Sequence, residues 1–452
     1  MFFKKSSVYA LNQVANSKTR TRKFFWSFLV VVGLIGCCSQ IIRYLTAYYK
    51  YPVVVNVDTV SEFSQTFPAV TICNLNAVRK RFIPCILQEL SYEECNESLY
   101  TNQSKDQFQF NVSQPNCFKE TKKTFNPETL ETMWFYFLYS KIDADSRKNY
   151  GHQKETFITS CSFNHEICSH ENFTLYQDPA FGNCYTFNKG YDNKPPLTTS
   201  FIGPNGGLQL ELDLETTEYF WLTDRVGTWV VIHDPYDDPE PSEEGLSVSP
   251  GFETNIAVSK ITFSRLPYPY KDKCIPYQSG DNQRKCEAKC FRDAMYSACS
   301  CQLPFQDVAR DARYCDLEND AEICCIFQKV KEIENKCQCP LECEISSYDI
   351  KISNAMWPSE AYITPRMVDA FDENISREEF RKFSLKLKVY YDTLQHVIYR
   401  QKPMFDDSEV LSQIGGQMGL WLGVSLIAIF ECVENLVLVW QFWRNNRILD
   451  RI

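Results

Sequence analysis

Two long apolar runs bracket this chain, and the pattern between them is of a different kind. The first run, Phe24 to Ile42 (FFWSFLVVVGLIGCCSQII), carries no charged residue and is long enough for a hydrocarbon core of about 30 Å. It predicts a membrane helix over 24–46; its length and flanks are wrong for a cleaved signal peptide. The second run opens at Ile414 and predicts a helix over 409–443, but four glycines (Gly415, Gly416, Gly419, Gly423) and two carboxylates (Glu431, Glu434) interrupt its apolar character. Between the runs, Ala69–Ile72, 207–214 and Thr228–His233 alternate or concentrate β-branched and apolar residues between Gly, Pro, Asn and Asp, the signature of strands. Residues 53–270 therefore read mostly as strands and turns. A cysteine ladder over 274–343 encloses a helical pattern at Gln328–Lys336, and the polar, aromatic stretch 85–150 reads as a peripheral insertion.

Charge orients these elements. Lys4, Lys5, Lys18, Arg20, Arg22 and Lys23 precede the first run with no acidic residue among them, and Arg444, Arg447 and Arg451 follow the second against Asp450 alone. The positive-inside rule makes both termini cytoplasmic, 1–23 and 444–452, and places 47–408 outside the cell. Of 21 cysteines, Cys37, Cys38 and Cys432 fall in the runs, and the remainder, an even number, lie between them. That usage suits an oxidising compartment and favours disulfides over zinc ligation. The acceptor sequons at Asn96, Asn102, Asn111, Asn172 and Asn374 fall in the same interval. With a net charge of −10 and basic ends, the ectodomain is strongly acidic, which disfavours nucleic acid and favours cations or basic ligands.

The second run is chemically costly as a plain anchor. Each glycine costs roughly 1 kcal/mol against alanine in a helix interior, and each carboxylate about 2.5–3.5 kcal/mol at bilayer depth. Gly419-x-x-x-Gly423 is also a helix-packing motif that needs no pore. Glu431 and Glu434, three apart and so on one helix face, favour a water-filled path that would receive them.

Several motifs occur in a fixed order: Phe67-Pro-Ala-Val-Thr-Ile-Cys-Asn74, Gly182-Asn-Cys-Tyr-Thr-Phe-Asn188, Ser249-Pro-Gly-Phe252, Leu266-Pro-Tyr-Pro-Tyr270, the ladder, Trp357-Pro-Ser359 and the glycine-rich second run. In this the chain resembles subunits of the degenerin/epithelial sodium channel family, which includes acid-sensing and peptide-gated channels. The resemblance covers nearly the whole chain. It implies an α+β membrane protein: two transmembrane helices flanking a disulfide-rich mixed α/β ectodomain shaped like a clenched hand, assembled as a trimer with two further identical or related subunits. It implies a selectivity belt at Gly423, Val424 and Ser425, pore-lining Gly415, Gly416, Gly419, Glu431 and Glu434, and a gate position at Ser412. The finger would occupy about 85–150 and the thumb 274–343. It further implies the disulfides Cys73–Cys184, Cys161–Cys168, Cys274–Cys343, Cys286–Cys339, Cys290–Cys337, Cys301–Cys315 and Cys299 with Cys325 or its neighbour Cys324, leaving Cys85, Cys95 and Cys117 unassigned. An aromatic contact of Tyr270 with Tyr49 or Tyr51 would couple thumb to pore.

The expected activity is amiloride-sensitive passage of Na⁺ through the plasma membrane, without cofactor or metal, opened by an extracellular peptide or by protons. The acidic run Asp234–Glu244 could sense protons or simply be a solvated loop. Three features depart from the family pattern: Tyr9-Ala10 stands in place of a His-Gly pair, Val53–Val55 where acid-sensing members often carry histidines, and Val424 where the belt usually has a smaller residue. No nucleophile elbow, HExxH pair or P-loop occurs, so no enzyme is expected. The competing readings are a trimeric ATP-gated type of channel, which needs a basic phosphate cluster, and a non-conducting anchored or modulatory subunit.

Overall fold

The computed structural model describes residues 13–95, 117, 126–278, 281–303, 313–316, 319–362, 367–368 and 375–425, apart from 15 and 192, and scattered positions over 427–441. Tyr9, Ala10, Asn96, Asn102, Asn111, Asn374 and the 444–452 tail lie outside the described residues. In chain order the principal elements are α1 (Arg20–Tyr48), β1 (Val53–Ser61), β2 (Ala69–Asn74), α2 (Pro127–Lys141), β3 (Ile158–Phe163), β4 (Phe173–Asp178), β5 (Gly182–Phe187), β6 (Leu208–Asp213), β7 (Thr228–His233), β8 (Leu246–Val248), β9 (Phe252–Ser264), α3 (Gln283–Cys299), α4 (Asp320–Lys336), β10 (Glu344–Met356), α5 (Arg377–Phe383), β11 (Ser384–Tyr391), β12 (Gln395–Pro403) and α6 (Asp407–Leu422). They divide into two compact units. One holds Met1–Asn56, Leu266–Lys273 and Gln401–Ile452; the other holds Val57–Arg265 and Cys274–Arg400. The loop Leu266–Lys273 belongs to the unit that holds the helices.

The larger unit is built on two sheets. One runs β8-β7-β2-β5-β4; in the other β1, β12, β9, β11, β6 and β3 follow in that order, with β10 on β9. Strand β6 (LQLELD) buries Leu208, Leu210 and Leu212 and turns the intervening polar residues outward, as a period of two requires. Strand β2 (AVTICN) is buried at every position because it lies between β7 and β5. The inward faces share one core containing Phe67, Ile72, Phe187, Leu210, Val230, Leu387 and Tyr391. Strand β9 pairs antiparallel with β10 along its whole length, while its other edge pairs in parallel with β11 over Glu253–Val258 and with β12 over Ile261–Ser264.

The Gly182-Asn183-Cys184 motif has a local physical reason. Gly182 sits at φ +68°, and a Cβ there would lie 2.1 Å from the Ala77 carbonyl oxygen. Asn183 donates to the carbonyls of Lys148 and His152 (2.8 and 3.1 Å), and Cys184 faces Cys73 across β5 and β2 in the disulfide register.

Two expectations are corrected. Pro127–Lys141 and Ala144–Tyr150 are helical rather than strands and turns, and the 85–150 stretch is not wholly peripheral. Phe135, Phe137, Leu138, Tyr139, Ile142 and Tyr150 form a second core with Ile83, Ile86 and Phe220. Helix α2 (PETLETMWFYFLYSK) carries bulky apolar residues around most of its circumference, so it shows no amphipathic period. The predicted helix at Gln328–Lys336 starts earlier, at Asp320, where the Asn319 side chain accepts the Ala321 amide, a normal N-cap.

Nine disulfides are present among the described residues. All seven implied pairs are among them, with Cys299 bonded to Cys325. The formerly unassigned cysteines pair as Cys85–Cys95 and Cys117–Cys324. Cys301 and Cys315 lie beside Glu322 in a ligand-like cluster, but they are bonded to each other and offer no thiolates.

Candidate pore segment and membrane-proximal joint

The smaller unit contains α1, a helix long and apolar enough to cross a membrane, packed on α6. The two are linked by Tyr48 Oη donating to Asp407 Oδ1 (2.9 Å), an edge contact of Tyr44 with Phe405 (5.2 Å between centroids), and the Trp421 indole N–H donating to Gln40 Oε1 (3.3 Å). Helix α6 opens on a capping box between Asp406 and Glu409 and closes at Leu422, where Gly423 takes a left-handed φ of +64°.

That closure falls on the expected belt. The Gly423 amide still bonds the Gly419 carbonyl (3.0 Å) and the Val424 amide reaches back to Met418 (3.3 Å). Gly423, Val424 and Ser425 are themselves outside helix. Helical residues resume at Ile427 and Ala428, and the Ala428 amide donates to Ser425 Oγ (3.3 Å). Two end signals thus make the break: a glycine able to adopt αL and a serine able to cap.

Ser412, Gly415, Gly416 and Gly419 are exposed, and their spacing puts them on one face of α6. Among the described residues, a Cβ added at Gly415, Gly416 or Gly423 would meet nothing within 4 Å, and one at Gly419 only the Val424 carbonyl at 3.9 Å. Among the described residues of one chain, no helix packs on Gly419-x-x-x-Gly423. The glycines that admit a neighbouring helix are Gly33 and Gly36 on α1, which sequence reasoning passed over. Glu431 and Glu434 are both in helical conformation, the first half-buried and the second exposed.

Above α1 lies a joint of rings and short hydrogen bonds. The Tyr51 ring meets Tyr270 edge-on at 5.8 Å, deciding between Tyr49 and Tyr51 as the partner. Tyr48 and Tyr49 flank Tyr51 at 6.1 and 6.4 Å. Gln401 receives the Leu266 amide (3.0 Å) and donates to Asp272 (2.5 Å), and the Met404 amide bonds the Pro52 carbonyl (3.0 Å).

In the larger unit, the acidic run Asp234–Glu244 is not a free solvated loop. It lines a cavity of about 230 Å³ with His233, Arg284, Glu342 and Tyr348. Burial, reinforced by Asp234 and Glu342, pushes the Asp237 carboxyl above its ordinary range, and burial does the same to Glu240 against the pull of Arg284. Asp238 is held low despite burial because Lys189 and Lys285 both donate to it (2.7 Å each). Arg284 also pairs with Glu240 (3.1 Å) and Glu244. Burial lowers His233 to about 4, with its ring nitrogens placed on the Asp234 carbonyl and the Thr71 hydroxyl (both 2.9 Å).

A sequence profile described as amiloride-sensitive sodium channel matches residues 2–435. The chain belongs to that family. Among its relatives, the degenerin deg-1 of Caenorhabditis elegans is 28% identical over 359 residues, covering 71% of this chain and 46% of that protein. The epithelial sodium channel subunit alpha of Gallus gallus is 27% identical over 510 residues, covering 95% and 78%. Acid-sensing ion channel 1 of Gallus gallus is 27% identical over 455 residues, covering 95% and 80%. This chain thus spans less than half of the first relative and about four-fifths of the other two. A solved proton-activated chloride channel aligns with a TM-score of 0.33 at 8% identity over 92% of this chain and 99% of that chain, too low a score to bear on function. As a member of the amiloride-sensitive sodium channel family, the chain is a membrane protein with a disulfide-rich mixed α/β ectodomain, and the family consists of ion channels rather than enzymes.

Proposed function

We propose that this chain is a pore-forming subunit of a trimeric plasma-membrane cation channel, Na⁺-permeable and amiloride-sensitive, with both termini cytoplasmic. The carrying observation is the break at Gly423–Ser425 below an α6 face of small residues that nothing among the described residues covers. Three such faces around one axis fill the uncovered space with each other, and three breaks form a ring of backbone carbonyls and Ser425 hydroxyls that replaces part of a small cation's hydration shell. Glu431 and Glu434, three apart below the break, line the same path and concentrate cations. The remainder of 409–443 forms the second span, and the glycines supply the close approach a shut gate needs at Ser412. Two further copies or related subunits complete the pore; with Tyr9-Ala10 in place of His-Gly the subunit opens poorly alone or requires partners.

The stimulus is an extracellular cationic ligand acting on the acidic ectodomain. The cavity at Asp237 and Glu240 favours protons or a basic peptide, because burial there disfavours unneutralised carboxylates.

The test is expression in oocytes, alone and with related subunits, under acid, peptide and amiloride. Ser412→Phe overpacks the shut contact; about 1.4 kcal/mol of differential strain shifts the open ratio tenfold. A standing inward Na⁺ current blocked by amiloride is expected. Surface protein that passes no current in any combination, with Ser412→Phe and with Tyr9→His and Ala10→Gly added, would assign the chain a modulatory role instead.

A further inference from the structure

We propose that α1, not the pore helix alone, fixes where the pore break sits, through a socket of Gly33, Gly36 and Gln40 that receives Trp421. The three socket residues recur at i, i+3 and i+7, and so lie along one face of α1. Trp421 lies two residues before Gly423, in the last turn of α6, where carbonyls lack a partner further along the helix. Its carbonyl oxygen lies 2.7 Å from where a Cβ on Gly33 would stand, its six-membered ring lies 2.8 Å from the Cβ position of Gly36, and its indole N–H donates to Gln40 Oε1 at 3.3 Å. Backbone, ring face and ring nitrogen of one residue are thus each met by a different α1 residue.

The two glycines are unequal. At Gly36 the obstacle is a side chain that can turn or be trimmed. At Gly33 it is the backbone of the turn that leads into the belt, with the Leu422 side chain also within 3.5 Å. Carbon atoms pack at about 3.5–4.0 Å, so a methyl group at Gly33 moves the Trp421 peptide by on the order of 1 Å relative to α1. A ring of carbonyls that replaces a hydration shell is sensitive to displacements of that size. The socket is therefore a selectivity-positioning element that never touches the ion. It rests on the reading of the chain as a conducting subunit.

The experiment compares Gly33→Ala, Gly36→Ala, Trp421→Phe and the double variants Gly33→Ala/Trp421→Phe and Gly36→Ala/Trp421→Phe in whole channels, reading reversal potential in Na⁺/K⁺ mixtures and unit conductance at matched surface expression. Gly33→Ala is expected to lower the Na⁺/K⁺ permeability ratio most, Gly36→Ala to lower it less, and Trp421→Phe to restore Gly36→Ala but not Gly33→Ala. Unchanged ratios and conductances in both alanine variants would overturn the inference while leaving the channel reading intact. If an alanine variant does not reach the surface, a second measurement decides. Gln40→Cys/Trp421→Cys, made with Cys37→Ser and Cys38→Ser, should be joined by a short bifunctional thiol reagent within one chain. Absence of that cross-link refutes the socket whether or not the chain conducts.

Discussion

The thumb and the membrane-proximal joint are held in opposite ways. In the thumb, α3 and α4 are stitched by covalent bonds: Cys286–Cys339, Cys290–Cys337 and Cys299–Cys325 tie them to each other or to their flanks, and the apolar filling between them is small, centred on Met295, Ile326 and Ile333. The joint has no disulfide among the described residues; Tyr48, Tyr49, Tyr51 and Tyr270 meet by their rings, and Gln401 holds the Leu266–Lys273 loop through two hydrogen bonds. Breaking a disulfide requires chemistry, whereas separating an edge-on ring pair requires about 0.5–1.5 kcal/mol. A thermal fluctuation can therefore rearrange the joint and cannot rearrange the thumb, which locates the compliant element at the joint.

The largest expected effect comes from breaking the stiff side. Cys290→Ser should cost about 2–4 kcal/mol in unfolding of the full chain, and adding Cys337→Ser should cost little more because both remove one rung. Fully additive losses would show that the two are not partners in solution. Next in size is Tyr270→Ala, expected to change open probability up to about tenfold while moving the melting temperature little, since a ring pair contributes about 0.5–1.5 kcal/mol. Tyr51→Ala should do at least as much, because it also loses the Tyr48 and Tyr49 contacts, and the double variant should equal Tyr51→Ala. A large melting shift with unchanged gating would reverse the assignment of stiff and compliant parts.

The smallest effect concerns charge. A carboxyl raised in the folded chain contributes stability that is full below its unfolded pKa and is lost as pH rises through the folded value. Asp237→Asn should therefore stabilise the ectodomain slightly at pH 7.5, and the gain should vanish as pH falls below the ordinary carboxylate range. A gain independent of pH would mean that packing rather than ionisation is responsible.

What could be read from the sequence followed from local rules. Strands β2, β6 and β7 announced themselves by β-branched or alternating residues, and family resemblance, not spacing, supplied the cysteine pairs. Helix α2 was missed because an element apolar around most of its surface has no period to detect. The acidic run was legible as charge, but its burial against Arg284 and Glu342 depends on residues distant in sequence. Gly33 and Gly36 were visible as small residues three apart in an apolar run, a helix-packing signal. The denser glycines of α6 give the stronger signal in the sequence, yet among the described residues they touch almost nothing.

The pairing of β9 with β10 has a mechanical consequence. The chain leaves β9 at Ser264, runs out through Leu266–Lys273 and returns at Cys274, which is bonded to Cys343 immediately before β10 begins. The Arg265 amide donates to the Cys343 carbonyl at 2.7 Å beside that bond. Tension on the loop is therefore shared between two strand ends clamped side by side. Neither strand is peeled from the other one pair at a time; both are drawn as a single ribbon, and the load falls in shear on the parallel contacts of β9 with β11 and β12.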